Sequence, residues 1–163
     1  FTAEEAWLQR NPGDDKSIHL QTFPEISDAW CDNDIGSKWE KIREVRRVVL
    51  GALEIERAEK RIGSSLQAAP TVYMTEAHAA AFEGVDLAEI TITSDAVIKT
   101  SLAPENSFTI ADLPGLAVVP MKAIGHKCER CWKVLPEVGS NKEFGDICNR
   151  CVDAVRGYQA AAE

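Results

Sequence analysis

The sequence lacks the motifs by which many enzymes and membrane proteins are recognised. No apolar run approaches the roughly 20 residues of a transmembrane helix, and the first residues, FTAEEAWLQR, do not resemble a signal peptide. They are typical of a helix, and we expect that the chain was cut from something longer. The motifs GxxxxGK[ST], GxGxxG, GxSxG and HExxH are also missing. We therefore predict no catalytic residue in this chain and no membrane partner.

Positive charge is outnumbered by negative charge. The 163 residues include 18 Lys and Arg and 26 Asp and Glu, and the net charge is −8. The positive charge is concentrated in two segments. Lys38–Ile62 holds eight Lys and Arg against five Glu, and Lys122–Gly157 holds seven against five acidic residues. Such a distribution is typical of a local surface for an anionic ligand on an acidic scaffold. The alternative is chance clustering of charge on solvated helix faces.

The first basic segment predicts one long helix, SKWEKIREVRRVVLGALEIERAEKRIG. Ser37 and Glu40 form a capping box at its start, and Gly63 suits the position just after its end. Helical spacing places five apolar residues on one face: Ile42, Val45, Val49, Ala52 and Leu53. We expect this face to pack against a core.

Five arginines share another face of this helix. They are Arg43, Arg46, Arg47, Arg57 and Arg61, within an arc of roughly 100° at about 100° per residue. Glu54 interrupts this arginine stripe. The planar guanidinium suits phosphate, so the stripe is a candidate RNA-binding surface. The alternative is a solvated helix face held by i,i+4 ion pairs.

After Gly63 the pattern becomes mixed and predicts a small α+β module. TVYM is typical of a strand, and TEAHAAAFEG of a short helix capped by Thr75. Ile90 and Ile92 alternate in DLAEITITSDAVIKT, and GLAVVPMKAIGH is a further extended run. SIHLQTFPE, earlier in the chain, is also expected to be extended. The fold class is therefore α+β.

Four cysteines near the C-terminus form two C-x-x-C pairs, Cys128/Cys131 and Cys148/Cys151, with sixteen residues between the pairs. Two such pairs at this spacing predict one zinc ion held by four thiolates. A closed shell of four protein ligands leaves no position for a substrate, so the zinc is structural. Iron in the same geometry is the alternative metal. Cys31 stands alone, and we expect it to be a buried or inert thiol.

Basic and aromatic residues surround these cysteines and make the rim of the zinc site a second candidate RNA surface. Cations there would bind phosphates and a tryptophan ring would stack on an unpaired base. The candidates are Lys127, Arg130, Trp132, Lys133 and Arg150. The alternative is that the cations neutralise the negative zinc–thiolate cluster and that Trp132 packs against it.

Four stretches occur in the order FTAEEAW, KWEKIREVRRVVLGALEIERAEKRIGSSLQA, KCERCW and ICNRCV. In this order they resemble the C-terminal part of bacterial isoleucyl-tRNA synthetases, which are class I aminoacyl-tRNA synthetases. The resemblance covers essentially the whole chain. It implies the end of a helical anticodon-binding domain over 1–66, a small α+β module over 67–121 and a zinc-binding domain over 122–163.

The resemblance also implies a function. The chain would grip the anticodon stem-loop of the isoleucine tRNA, while ATP-dependent aminoacylation and editing are performed by upstream domains of the same parent chain. A cytoplasmic monomer with one zinc ion is expected. The alternative is a zinc-ribbon module that binds another protein and has no role with RNA.

Overall fold

The structure is a computed structural model that describes residues 1–13 and 17–161. It divides into two units, Phe1–Asn33 and Asp34–Glu163. The predicted division into 1–66, 67–121 and 122–163 stays a prediction. No helix of the described residues is long and apolar enough to cross a membrane.

The first unit contains helix α1 (Thr2–Arg10) and two 3₁₀ turns, Ile18–Leu20 and Asp28–Trp30. The sequence analysis predicted an extended segment around Ile18. This prediction is wrong for Ile18–Leu20, which form the first 3₁₀ turn. Ser17 explains the difference, because its hydroxyl accepts a hydrogen bond from the His19 amide at 3.2 Å and initiates the turn. Glu4 of α1 accepts from the Ser17 hydroxyl at 2.9 Å, which ties the turn to the helix.

Helix α2 (Asn33–Ala58) is the longest element and carries the predicted apolar face. All five predicted core residues are buried, together with Val48. The predicted bounds are wrong, because α2 begins before Ser37 and ends before Gly63. Its end is a Schellman turn, in which Lys60 adopts φ 58° and the Arg61 amide donates to the Glu56 carbonyl at 2.9 Å. Arg61 therefore lies beyond the helix.

A three-stranded sheet packs with α2 and completes the main core. Strand β1 (Thr71–Tyr73) lies between β2 (Val97–Lys99), which is parallel to it, and β3 (Ala117–Val119), which is antiparallel. Val72 and Val118 face each other across this pairing and belong to the same buried cluster as the α2 face. The α+β prediction is confirmed.

Two short helices connect β1 to β2. Helix α3 (Glu76–Ala81) has the predicted Thr75 cap, whose hydroxyl accepts from the His78 amide. Helix α4 (Leu87–Thr91) replaces the expected extended run. Asp86 explains this, since its carboxylate accepts from the Ala88 amide at 2.8 Å and caps the helix. Residues 34–121 are called the body below.

The remaining described residues, 122–161, are called the finger. They form a hairpin of β4 (His126–Lys127) and β5 (Val134–Leu135), followed by helix α5 (Asn149–Ala160). Their buried cluster is small and separate from the main core. It consists of three cysteines and three aliphatic residues: Cys128, Cys148, Cys151, Val138, Ile147 and Val152.

Candidate metal centre and its basic surface

The four predicted cysteines meet at one point of the finger. Their Sγ atoms all lie within 4.8 Å of one another, and the Sγ atoms of Cys131 and Cys148 are 3.7 Å apart. Tetrahedral zinc with bonds of about 2.3 Å places neighbouring sulfurs about 3.8 Å apart. The described sulfurs therefore fit one zinc ion with little rearrangement.

The two knuckles are built differently. The first follows β4 and turns sharply, because Trp132 adopts φ 67° and its amide donates to the Cys128 carbonyl at 2.9 Å. The second is the start of α5, where Cys148 is the N-cap residue and Cys151 lies in the first turn. In the turn, the side chains of Cys128 and Cys131 point in the same direction, and so do those of Cys148 and Cys151 at the start of α5. The four sulfurs consequently converge from two distant segments.

Backbone amides prepare one of these thiols for metal. Burial raises the pKa of Cys128, but hydrogen bonds from backbone amides outweigh burial and lower this pKa to about 6. The amides of Cys131 and Cys148 reach the Cys128 sulfur at 3.5 and 3.3 Å. A thiolate at this position is therefore favoured near neutral pH.

Burial has the opposite outcome at Cys148, where it raises the pKa of the thiol to about 12. Without metal this thiol keeps its proton, and zinc must displace that proton when it binds. Zinc binding is accordingly coupled to proton release.

Two arginines face the sulfurs and contribute to charge balance. The Arg130 guanidinium donates to the Cys151 Sγ at 3.6 Å. Hydrogen bonding to Cys131 raises the pKa of Arg150, and the neighbouring cysteines favour its charged form further. A zinc ion with four thiolates carries a net charge of −2, so both cations stabilise the filled site. This supports the neutralising interpretation for Arg130 and Arg150.

The other rim residues extend into solvent. Trp132 is 60% exposed, and the Lys127 ammonium lies 5.7 Å from the centre of its ring. Lys127 also approaches Glu129 at 3.8 Å. Lys133 makes no side-chain hydrogen bond or ion pair with any described residue. Trp132 therefore does not pack into the finger, and its ring is accessible.

The arginine stripe is largely engaged within the protein. Arg46 donates to the Ile90 carbonyl at 3.1 Å, and Arg47 pairs with Asp112 at 3.0 Å. Both contacts tie α2 to the following module. Arg43, by contrast, has no polar partner among the described residues, so it is the stripe residue most available to a ligand.

The end of the stripe is paired with acidic neighbours. Arg57 pairs with Glu54, and Arg61 pairs with Glu56 at 2.6 Å and with Glu59. The Arg57–Glu54 and Arg61–Glu59 pairs are exposed, and such pairs are worth about 0–1 kcal/mol each. The Glu56 side chain is only 15% exposed and accepts two hydrogen bonds from Arg61, so that pair is stronger. A phosphate could displace the two exposed pairs at modest cost.

Sequence patterns gave no sign of two polar contacts that organise the body. The His78 Nε2 atom lies 3.0 Å from the Glu44 carboxylate, and its Nδ1 atom lies 2.8 Å from the Thr75 hydroxyl. This joins α3 to α2. Ser94 is a buried serine whose hydroxyl contacts the finger. The His78–Glu44 and Ser94–Val134 contacts join residues 34 and 40 positions apart, so no local motif could have indicated them.

Comparison with known proteins shows what this chain is similar to. Residues 125–154 match the zinc finger found in FPG and IleRS. The chain is 48% identical over 161 residues to the isoleucine–tRNA ligase of Brucella abortus biovar 1 (strain 9-941), covering 98% of this chain and 16% of that protein.

Two further relatives agree. Identity is 44% over 160 residues with the isoleucine–tRNA ligase of Bartonella henselae, covering 98% of this chain and 16% of the relative. It is 50% over 154 residues with that of Mesorhizobium japonicum, covering 92% and 15%. The chain thus spans about one sixth of the length of the relatives it matches. It is homologous to one segment of the isoleucine–tRNA ligases, and the four clustered cysteines of its described residues form one structural zinc site.

Proposed function

We propose that this chain is the C-terminal tRNA-binding part of an isoleucine–tRNA ligase and that it grips the anticodon stem-loop of isoleucine tRNA. The observation that carries this proposal is the 48% identity over 98% of the chain to an isoleucine–tRNA ligase. ATP-dependent aminoacylation and editing belong to other domains of the parent protein, a cytoplasmic monomer. The four cysteines hold zinc, and zinc supplies folding energy to the finger rather than chemistry.

The exposed cations and the exposed Trp132 ring bind different parts of the RNA, the phosphates and a base. Lys133, Lys127 and Arg43 bind phosphates, since single-stranded RNA is held mainly through charge. Trp132 provides a stacking face for an unpaired base of the loop. Arg46, Arg47, Arg57 and Arg61 complete the surface where a phosphate displaces their present partners. Arg130 and Arg150, which lie beside the cysteine sulfurs, also contribute positive charge to the RNA-binding surface.

Charge reversal at the residues without partners gives the sharpest test. Lys133→Glu and Arg43→Glu remove cations that hold nothing else in the described structure, so a change in binding reports on RNA. Binding of isoleucine tRNA and of a second tRNA is measured by fluorescence anisotropy across a range of salt concentrations. Each variant is expected to weaken binding and to reduce the salt slope by about 0.7–1.

Lys41→Glu is the matched control for Arg43. It changes the same charge on the same helix, about 160° around the axis, and should leave binding of isoleucine tRNA unchanged. If Lys133→Glu and Arg43→Glu behave as this control does, the RNA surface lies elsewhere. A chain that binds neither tRNA would favour the alternative, a zinc ribbon that binds another protein.

Stacking is tested separately at Trp132. Trp132→Ala should weaken binding of isoleucine tRNA by about 1–3 kcal/mol, the usual value for one stacked base. Tyr158→Ala removes another exposed aromatic ring of the same finger, 79% exposed on α5, and should have no effect. Equal affinities for the two variants would contradict the stacking role.

A further inference from the structure

Ser94 occupies the junction between the body and the finger. It follows α4 and is only 4% exposed. Its hydroxyl donates to the Leu66 carbonyl at 2.5 Å and accepts from the Val134 amide at 2.6 Å. Its own amide donates to the Ala68 carbonyl at 3.0 Å. One small side chain therefore joins three segments that are distant in sequence.

The two ends of this connection lead to the two basic surfaces. Leu66 lies in the 3₁₀ turn Ser65–Gln67 that closely follows α2, which carries the arginine stripe. Val134 begins β5. The residue before it, Lys133, accepts at its carbonyl from the amide of the zinc ligand Cys128 at 2.8 Å. The Ser94 hydroxyl thus lies one residue from the backbone that shapes the metal site.

Other links between body and finger are weaker or lie close to the chain connection. The Ala123 amide donates to the Gln67 carbonyl at 2.8 Å, next to the segment that enters the finger. Arg150 approaches Glu89 at 3.5 Å, but both side chains are more than half exposed, and exposed pairs contribute little. Within the described residues, Ser94 is the only buried side chain that makes a polar link from the body to the finger.

We propose that Ser94 is a positioning residue that fixes the finger on the body, so that both basic surfaces are presented to one RNA at a fixed separation. Leaving a buried amide or carbonyl without a partner is unfavourable, so the hydroxyl holds both groups together. Without the hydroxyl, the finger pivots about the segment that enters it at Lys122–Gly125.

The RNA consequence rests on the proposed function. Two surfaces held at a fixed separation bind one ligand with a high effective concentration, and a pivoting finger lowers that concentration. Ser94→Ala is then expected to weaken binding of isoleucine tRNA on the order of fivefold. It should also reduce the penalty of Lys133→Glu, because the finger already contributes less.

Rotational motion tests the positioning role without RNA. Nitrogen-15 relaxation of the zinc-loaded chain should give one correlation time for the amides of α2 and of the finger. In Ser94→Ala the finger amides should show a shorter time, while zinc content stays at one per chain. Ser107→Ala is the matched control, since its hydroxyl bonds the Pro104 carbonyl of its own loop and no other described residue. A single shared correlation time in Ser94→Ala would overturn the proposal.

Hydrogen exchange in the unaltered chain gives a second test that does not depend on how the variant folds. The Val134 amide should exchange slowly, because a buried hydroxyl accepts its hydrogen bond. Exchange as fast as in an unstructured peptide would overturn the proposal. Absence of tRNA binding by the unaltered chain would instead refute the proposed function and leave the relaxation test decisive for Ser94.

Discussion

The body and the finger both enclose a core, but they are stabilised by different means. In the part of the chain that the structure describes, the body buries a cluster of fifteen residues built on the α2 face. The buried cluster of the finger, counted over residues 122–161, has six residues, and three of them are cysteines. Apolar burial is worth about 25 cal/mol per Å², and the finger has few apolar side chains to bury. The body can therefore fold through its core, whereas the finger depends on its metal.

The largest effect is expected when one zinc ligand is removed. Cys131→Ser takes away a thiolate, and zinc binding contributes on the order of 10 kcal/mol to the folding of such small domains. The finger should unfold while α2 keeps its structure. Circular dichroism should show loss of α5 helicity only, and a thermal scan should retain the transition of the body.

Cys31→Ser is the control for that change, because Cys31 is exposed, not buried as one expectation had it, and lies outside the cluster. It should leave zinc content and melting unchanged. A Cys131→Ser chain with a folded finger would show that the finger does not need its full ligand set.

The next largest effect is expected at low pH, where the zinc affinity of the finger should fall. Metal-free Cys148, with its pKa of about 12, binds a proton at every working pH, and Cys128, with its pKa of about 6, binds one below about pH 6. The metal-free state therefore holds more protons than the zinc-bound state, so zinc affinity falls as pH falls, and more steeply below about pH 6. A chromogenic zinc indicator would follow the release. Zinc retention that does not change between pH 8 and 5 would contradict this coupling.

A core substitution in the body should destabilise the body and leave the finger intact. Leu53 is 1% exposed, and Leu53→Ala should lower the free energy of unfolding of the body by about 2–5 kcal/mol. Zinc content should stay at one per chain. Ile55→Ala, on the exposed side of the same helix, should have little effect. Denaturant unfolding followed by Trp fluorescence and by zinc release would separate the two regions.

Two glycines of the finger give the smallest and most local comparison. Gly125 has φ +125°, and a Cβ atom there would lie 2.2 Å from the Leu135 carbonyl carbon. Gly125→Ala should destabilise the finger by about 1–3 kcal/mol from backbone strain alone, and the close contact adds to this. Gly157 lies in α5 with open space around it, and Gly157→Ala should stabilise α5 by up to about 1 kcal/mol. Melting temperatures that shift equally would refute this reading of Gly125.

The sequence was sufficient for features set by short-range spacing. Two C-x-x-C pairs place sulfurs locally, so the zinc cluster could be predicted, and helical periodicity identified the buried face of α2. Helix ends were less predictable. The end of α2 is decided by Lys60 in a left-handed conformation, a conformation that sequence rules assign to glycine. The alternation of Ile90 and Ile92 suggested a strand, but the Asp86 cap favoured a helix instead.

Contacts between distant residues could not be predicted. The partners of Arg46 and Arg47 are Ile90 and Asp112, 44 and 65 residues away, and no motif announces either pairing. Ser94 is an ordinary serine by sequence, and only the fold brings it to Val134. These contacts alter the candidate RNA surface. They distinguish residues that hold the fold together from Arg43 and Lys133, which have no such partner among residues 1–13 and 17–161.

One measurement addresses the difference between the regions most directly. Zinc content is determined for the purified chain, and its amide spectrum is recorded by NMR before and after a chelator is added. We expect one zinc per chain, collapse of the finger signals on chelation and unchanged signals from α2 and the sheet. A metal-free chain with a dispersed finger spectrum, or a finger that survives chelation, would contradict the claim that metal holds this region together.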